Sequence, residues 1–179
     1  MDIYKLKWTE LERKIFSYLC IYAGERFSQR DLAKKLNVSP TAISYSIKNL
    51  TKKGLVNVEN LKSIRLVSFN RNNEESINLK RVENLKNIYQ TEMVKYLEKK
   101  LAGATIILFG SYSLGEDTIK SDIDIAIIGR KEKEIETENY EKILNRKINI
   151  NFYDSWKKIN KNLKNNILNG ILLKGSIEL

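Results

Sequence analysis

Apolar residues recur at helical spacing from Trp8 onward: Leu11, Ile15 and Leu19, then Tyr22 or Ala23 one turn later, on a helix that Thr9 can cap and Gly24 can end. After Arg26-Phe27, Ser28 is placed to cap a second, short helix, Gln29 to Leu36, with Leu32, Ala33 and Leu36 on its apolar face. Asn37-Val38-Ser39 then makes a turn. Pro40, directly behind the cap residue Ser39, opens a third helix that runs through Ile43, Ile47 and Leu50 to Gly54. There the period changes, and Leu55 to Glu59 and Ile64 to Phe69 read as two strands joined by a turn at Asn60-Leu61-Lys62-Ser63.

Beyond a polar stretch, Arg71 to Glu75, apolar residues return at Val82, Leu85, Ile88, Tyr89, Val94 and Leu97. This spacing predicts one connecting helix from Ile77 to Leu101, of about six turns, ended by Gly103. A helix of this length either offers a homodimer contact or packs on the two domains it joins. Thr105 to Phe109 is an unbroken apolar run of the kind expected for a buried strand, and two further strands are expected at 122–128 and 147–153. Ser155 to Leu168 predicts a helix, whereas Arg130 to Tyr140 alternates Lys and Glu and reads as a solvated connection or helix. The expected fold class is α+β, with a helical domain and hairpin over residues 1–75, the connecting helix over 76–103 and a small mixed-sheet domain over 104–179.

Three helices followed by a hairpin resemble the winged helix-turn-helix of prokaryotic regulators. Over residues 8–70 the wording agrees too, in Asp31-Leu32-Ala33-Lys34-Lys35-Leu36-Asn37-Val38-Ser39 and in Ile47-Lys48-Asn49-Leu50-Thr51-Lys52-Lys53-Gly54-Leu55-Val56. The resemblance implies a DNA partner, with the third helix in the major groove presenting Thr41, Ser44, Tyr45 and Lys48, and with Lys52 and Lys53 near backbone phosphates. The competing reading is a solvated lysine face on a module used for dimerisation or protein docking. No Arg lies on the reading face, so the bidentate contact to guanine is missing and no base preference follows.

Charge sharpens this division. Of the chain's 32 Lys and Arg and 22 Asp and Glu, residues 1–103 hold 20 and 11, and residues 104–179 hold 12 and 11. Nearly all of the +10 excess therefore sits in the first half, where a polyanionic partner is expected. Histidine is absent and Cys20 is the single cysteine, which excludes Ser-His-Asp and Cys-His catalysis, His-ligated zinc or haem, and an intramolecular disulfide. No apolar run approaches the roughly 20 residues of a membrane span, and Met1-Asp2-Ile3-Tyr4-Lys5 lacks a signal peptide's apolar core. A cytoplasmic protein with no membrane partner is expected.

Chemistry must then come from carboxylates, hydroxyls, lysines, arginines or a metal. The strand ending at Phe109 delivers Gly110-Ser111: glycine lets a phosphate approach the backbone, and the hydroxyl can bind it. Downstream, Ser121-Asp122-Ile123-Asp124-Ile125 places two carboxylates on one face of a strand, where their repulsion calls for a compensating cation. Gly-Ser, ten residues, then Asp-x-Asp is similar to the signature of minimal nucleotidyltransferases of the polymerase-beta-type superfamily, over residues 104–175. The resemblance implies that Gly110 and Ser111 hold nucleotide phosphates and that Asp122 and Asp124 bind Mg²⁺ or Mn²⁺ and are catalytic. Lys120, like Tyr112 and Ser113, is either a contact to the triphosphate or an ordinary loop residue, and the charges of Glu116 and Asp117 would oppose a triphosphate unless turned to solvent.

The family's third acid lies on a later strand, where this chain has Asn149 and Asn151 instead. An amide oxygen at Asn149 can ligate a metal weakly but cannot take a proton from an attacking hydroxyl. Asp154 is either a substitute or a helix cap. Two functions follow. One is transfer of a nucleoside monophosphate from a nucleoside triphosphate to a hydroxyl on a small molecule, a nucleic acid or a protein. Family members that act as antitoxins make a partner toxin one such acceptor. The other is a winged-helix transcription regulator whose second domain senses nucleotide or serves as scaffold. Ser111, Asp122 and Asp124 favour the enzyme, and the missing acid favours the sensor.

Overall fold

The computed structural model describes residues 7–61 and 64–178. The chain divides into two units, Met1–Lys80 and Arg81–Leu179.

In the first unit, α1 (Glu10–Ile21), α2 (Gln29–Leu36) and α3 (Pro40–Lys52) begin at the caps expected from sequence. Thr9 Oγ1 accepts from the Glu12 N–H at 3.1 Å while the Glu12 carboxylate accepts from the Thr9 N–H at 3.1 Å. Ser28 and Asp31 form the same reciprocal box. Each satisfies donors that a helix start leaves open, and each contributes about 1 kcal/mol. Ile15, Leu19, Leu32, Ile43, Leu50 and Leu55 are fully buried between these helices and a three-stranded antiparallel sheet. Its order is β1 (Phe27–Ser28), β3 (Ile64–Phe69), β2 (Val56–Leu61). The two-residue β1 has no counterpart in the expected elements. Asn60 and Leu61, expected in the turn, pair as strand residues with Arg65 and Ile64 because the ladder runs to its very tip; Lys62 and Ser63 lie outside the described residues.

The connecting helix is two helices. α4 (Glu74–Gln90) and α5 (Met93–Lys100) are separated at Glu92, whose φ of 60° no α-helix accommodates. The cause is a phase shift in the apolar stripe: Leu85 and Ile88 face the core, and the next core residues are Met93, Val94 and Leu97. Val82 and Tyr89, read as part of that stripe, are exposed.

The second unit is a four-stranded mixed sheet of order β6 (Ile148–Tyr153), β5 (Ile123–Ile128), β4 (Thr105–Phe109), β7 (Ile171–Lys174). The three strands expected from sequence lie side by side, with β5 parallel to β6 and antiparallel to β4. Both faces are covered, which explains the unbroken apolar runs. Ile106, Leu108, Ile123, Ile125 and Ile127 pack with Ile88, Met93 and Leu97 on one face. Ile107, Phe109, Ala126 and Ile128 pack with Trp156, Ile159 and Ile167 on the other. Between β5 and β6, residues 131–137 form no regular element and are followed by α7 (Glu138–Leu144). The helix expected over 155–168 is a short 3₁₀ turn at Trp156–Lys158 and α8 (Lys161–Leu168), because Asn160 caps α8 by accepting from the Leu163 N–H.

Glu12 carries a checkable consequence. It is 2% exposed. Burial opposes its ionised form, but hydrogen bonds from Asn49, the Thr9 N–H and Lys53, with the Lys53 charge, outweigh burial and hold its pKa below the ordinary 4.5. A lowered carboxyl pKa contributes stability at neutral pH that is lost as pH falls through the folded value. Glu12→Gln is expected to cost about 1–3 kcal/mol at pH 7, with the difference from wild type shrinking in acid, as measured by urea unfolding across pH. An unchanged difference at low pH would contradict this.

Candidate functional site

The site is built at the end of the sheet where β4 stops and β5 starts. In the β4–β5 ladder Phe109 is the partner of Asp124, so the residue after Phe109 meets the Asp124 carboxylate. That residue is Gly110, with φ +73°, and a Cβ there would stand 2.7 Å from Asp124 Oδ2. Only glycine combines this conformation with this approach. The chain then turns into α6 (Gly110–Leu114), which carries half-buried Ser111.

On the other flank, the parallel β5–β6 register makes Asn149 the partner of Asp124. Asn149 Nδ2 donates to Asp122 Oδ2 and to Asp124 Oδ1, both at 3.1 Å. One amide nitrogen, with two N–H groups, thus bridges two carboxylates that would otherwise only repel. Tyr153, on the same strand, has its hydroxyl pKa raised by burial first and by the Asp124 charge second.

Gly110, Asp122, Asp124 and Asn149 thus converge, with Ser111 next in the chain to Gly110. Lys120 lies exposed in the turn before β5, its N–H bonded to Thr118 Oγ1. Asn151 pairs with Ala126, one step along the strand face from Asn149. Asp154 follows Tyr153, which pairs with Ile128 at the far end of the sheet, and its carboxylate is bound by Lys158, so it does not replace the third acid. Tyr112 and Ser113 turn inward: Tyr112 joins the core, and Ser113 Oγ donates to Gly110 O at 2.8 Å. Asp117 is turned inward as well, 1% exposed, with its carboxylate paired to Arg146 Nη2 at 3.4 Å.

The fit to a divalent cation can be tested on these donors. Among the described residues no group of three or more His, Cys, Asp or Glu side chains is placed to hold a metal ion. Two hard carboxylates suit a cation that takes its remaining oxygens from nucleotide phosphates. Asn149 presents N–H here, which cannot ligate, although half a turn of the amide brings its oxygen to the same point.

In the first unit, Thr41, Tyr45, Lys48 and Lys52 are exposed along α3, Tyr45 at 67%, and Ser44 is half-buried beside them. Lys53 departs from that face. Its ammonium donates to Glu12 at 3.3 Å and to the Lys7 carbonyl at 2.8 Å, and lies 5.3 Å from the Trp8 ring centroid. It ties α3 to the start of α1 because a nearly buried carboxylate requires a partner.

Known families agree with this division. Residues 10–57 match the family described as winged helix-turn-helix DNA-binding, and residues 91–172 match the nucleotidyltransferase domain. The chain carries a winged helix-turn-helix domain followed by a nucleotidyltransferase domain. Similar solved structures include a double mutant of ZitR from Lactococcus lactis, at 18% identity over 54% of this chain and 64% of that one, with a TM-score of 0.41. The adhesin competence repressor AdcR of Streptococcus pyogenes aligns at 20% identity over 55% of this chain and 71% of its own (TM-score 0.41). Reduced HlyU of Vibrio cholerae aligns at 19% over 52% and 79% (TM-score 0.33). This chain thus spans slightly less than two thirds of the length of that ZitR structure. Among curated proteins none matches. Among the described residues no helix is long and apolar enough to cross a membrane.

Gly110→Ala is expected to destabilise the second unit by about 1–2 kcal/mol from its backbone conformation alone, and further through the clash with Asp124. Thermal unfolding of the variant checks this. A melting temperature equal to that of wild type would contradict the close approach.

Proposed function

We propose that the chain is a cytoplasmic DNA-binding protein whose second domain moves a nucleoside monophosphate from a nucleoside triphosphate to a hydroxyl. The observation that carries this reading is the approach of Asp124 to within 2.7 Å of a Cβ position on Gly110, because it joins the two halves of the Gly-Ser and Asp-x-Asp pattern in one site. Gly110 and Ser111 hold the phosphates, Lys120 adds a positive contact, and Asp122 and Asp124 hold Mg²⁺ or Mn²⁺. When bound, the cation supplies charge neutralisation for the triphosphate and polarises the phosphorus–oxygen bonds. The acceptor oxygen forms a bond to the α-phosphorus while its hydroxyl proton leaves to water, and the bond from the α-phosphorus to pyrophosphate breaks, so that pyrophosphate departs. The acceptor's class is a small molecule, a nucleic acid or a protein such as a partner toxin.

One observation favours a second reading, a regulator that binds nucleotide without turnover. Asn149 stands at the partner position of Asp124 and cannot accept the proton of an attacking hydroxyl. Incubation with labelled ATP, GTP, CTP or UTP, Mg²⁺ or Mn²⁺ and a cell extract separates the two. Label transfer lost in Asp122→Ala supports the enzyme; nucleotide binding without transfer supports the sensor.

Asn149→Asp replaces the bridging donor with a third carboxylate. It is expected to melt below wild type in chelator and to gain more from added Mn²⁺ than wild type does. Equal metal-induced shifts in the two proteins would argue against a cation at this place.

For DNA, Thr41, Ser44, Tyr45, Lys48 and Lys52 are the proposed contacts. Lys48→Ala and Lys52→Ala should each flatten the plot of log K against log salt by about 0.9 for every phosphate that is no longer neutralised, whereas Lys53→Ala should lower stability and leave the slope unchanged. Binding that is equally tight in a truncated chain lacking residues 1–75 would refute the assignment.

A further inference from the structure

A polar network is buried beside the nucleotide site, and the chemistry above does not use it. Asn84, Asp117 and Arg146 are 3%, 1% and 5% exposed. Asn84 Nδ2 donates to the Tyr112 carbonyl at 2.9 Å and to Asp117 Oδ1 at 2.7 Å. Arg146 Nη2 donates to Asp117 Oδ2 at 3.4 Å, and Arg146 Nη1 to the Asn145 carbonyl at 2.9 Å. Burying two charges is expensive, and apolar side chains could fill the same volume at lower cost. Directional hydrogen bonds between buried polar groups, by contrast, tie specific chain segments to one another.

The segments held are those that enter the site. Tyr112 follows Ser111 in α6. Asp117 lies five residues before Asp122, in the loop that leads into β5. Arg146 lies three residues before Asn149, in the turn that leads into β6. Asn84, from α4, bonds at once to the first two of these segments. We infer that Asn84, Asp117 and Arg146 are positioning residues that set the Gly110-Ser111 turn against Asp122, Asp124 and Asn149. This rests on the nucleotide-binding reading given above. The three side chains touch no ligand; they act through the Tyr112 carbonyl and through the loops before β5 and β6.

The test compares ATP binding in Mg²⁺ by calorimetry with thermal unfolding, in the full chain, for wild type, Asn84→Ala, Asp117→Asn and Ile88→Ala. Ile88 is fully buried one turn from Asn84 on the same helix and contributes packing alone. Asn84→Ala and Asp117→Asn are expected to bind ATP about tenfold more weakly or worse, the scale on which displaced supporting residues act, while Ile88→Ala melts lower yet binds within about twofold of wild type. Should Asn84→Ala not fold, Asn84→Ser and the volume-conserving Asp117→Asn carry the same comparison. Wild-type affinity in the folded network variants would overturn the positioning role and leave the nucleotide site standing, and so would equal weakening in Ile88→Ala. No binding of ATP, GTP, CTP or UTP by wild type would overturn the nucleotide reading itself, and the positioning role with it.

Discussion

Two carboxylates two residues apart, one just before β5 and one on it, repel, and the end of the sheet where β5 begins is organised around that repulsion. Asp122 lies just before β5 and Asp124 on it, two residues apart in extended backbone, so both carboxylates face Asn149 on β6. The Asn149 amide answers the repulsion from one side. On the other side Gly110, having no side chain, lets the backbone come close to Asp124. Under the proposed function, a cation brought by a nucleotide is the third answer, since it would supply the positive charge that the amide supplies only in part.

The first unit solves a different electrostatic problem. Its excess of lysine and arginine is divided between an outer and an inner use. Lys48 and Lys52 remain exposed on α3. Lys53, the next residue, is drawn into the packing of α3 against α1 by Glu12 and Trp8. One residue of helical rotation, about 100°, separates a lysine available to a polyanion from one that serves the fold.

Local features are the most legible in the sequence. Thr9, Ser28 and Ser39 each cap the helix they precede, and Pro40 opens α3, because caps act over three or four residues. The Gly-Ser and Asp-x-Asp halves of the site are visible because residue type and spacing carry them. Register is not. That Asn149 rather than Asn151 opposes Asp124 depends on how two parallel strands align across a crossover, which no local signal specifies. Asp117 reads as a loop charge facing the site, and only the fold brings Asn84 and Arg146 to it. A clue to Asn84 is present: it falls between Lys80 and Ile88 on the buried side of α4, where a polar residue needs a partner. β7 is hidden in the sequence because its four residues, beside Gly170, follow a helix with no strong strand pattern of their own.

The dependence of nucleotide binding on a divalent cation probes the charge balance of this site most directly. Calorimetric titration of ATP into the chain with Mg²⁺, and again in chelator, should give binding only when metal and nucleotide are present together, because two carboxylates are too few ligands to hold the cation alone and repel the triphosphate without it. ATP binding that is equally tight in chelator, and equally tight in Asp124→Asn, would contradict a cation-centred site at the end of β5.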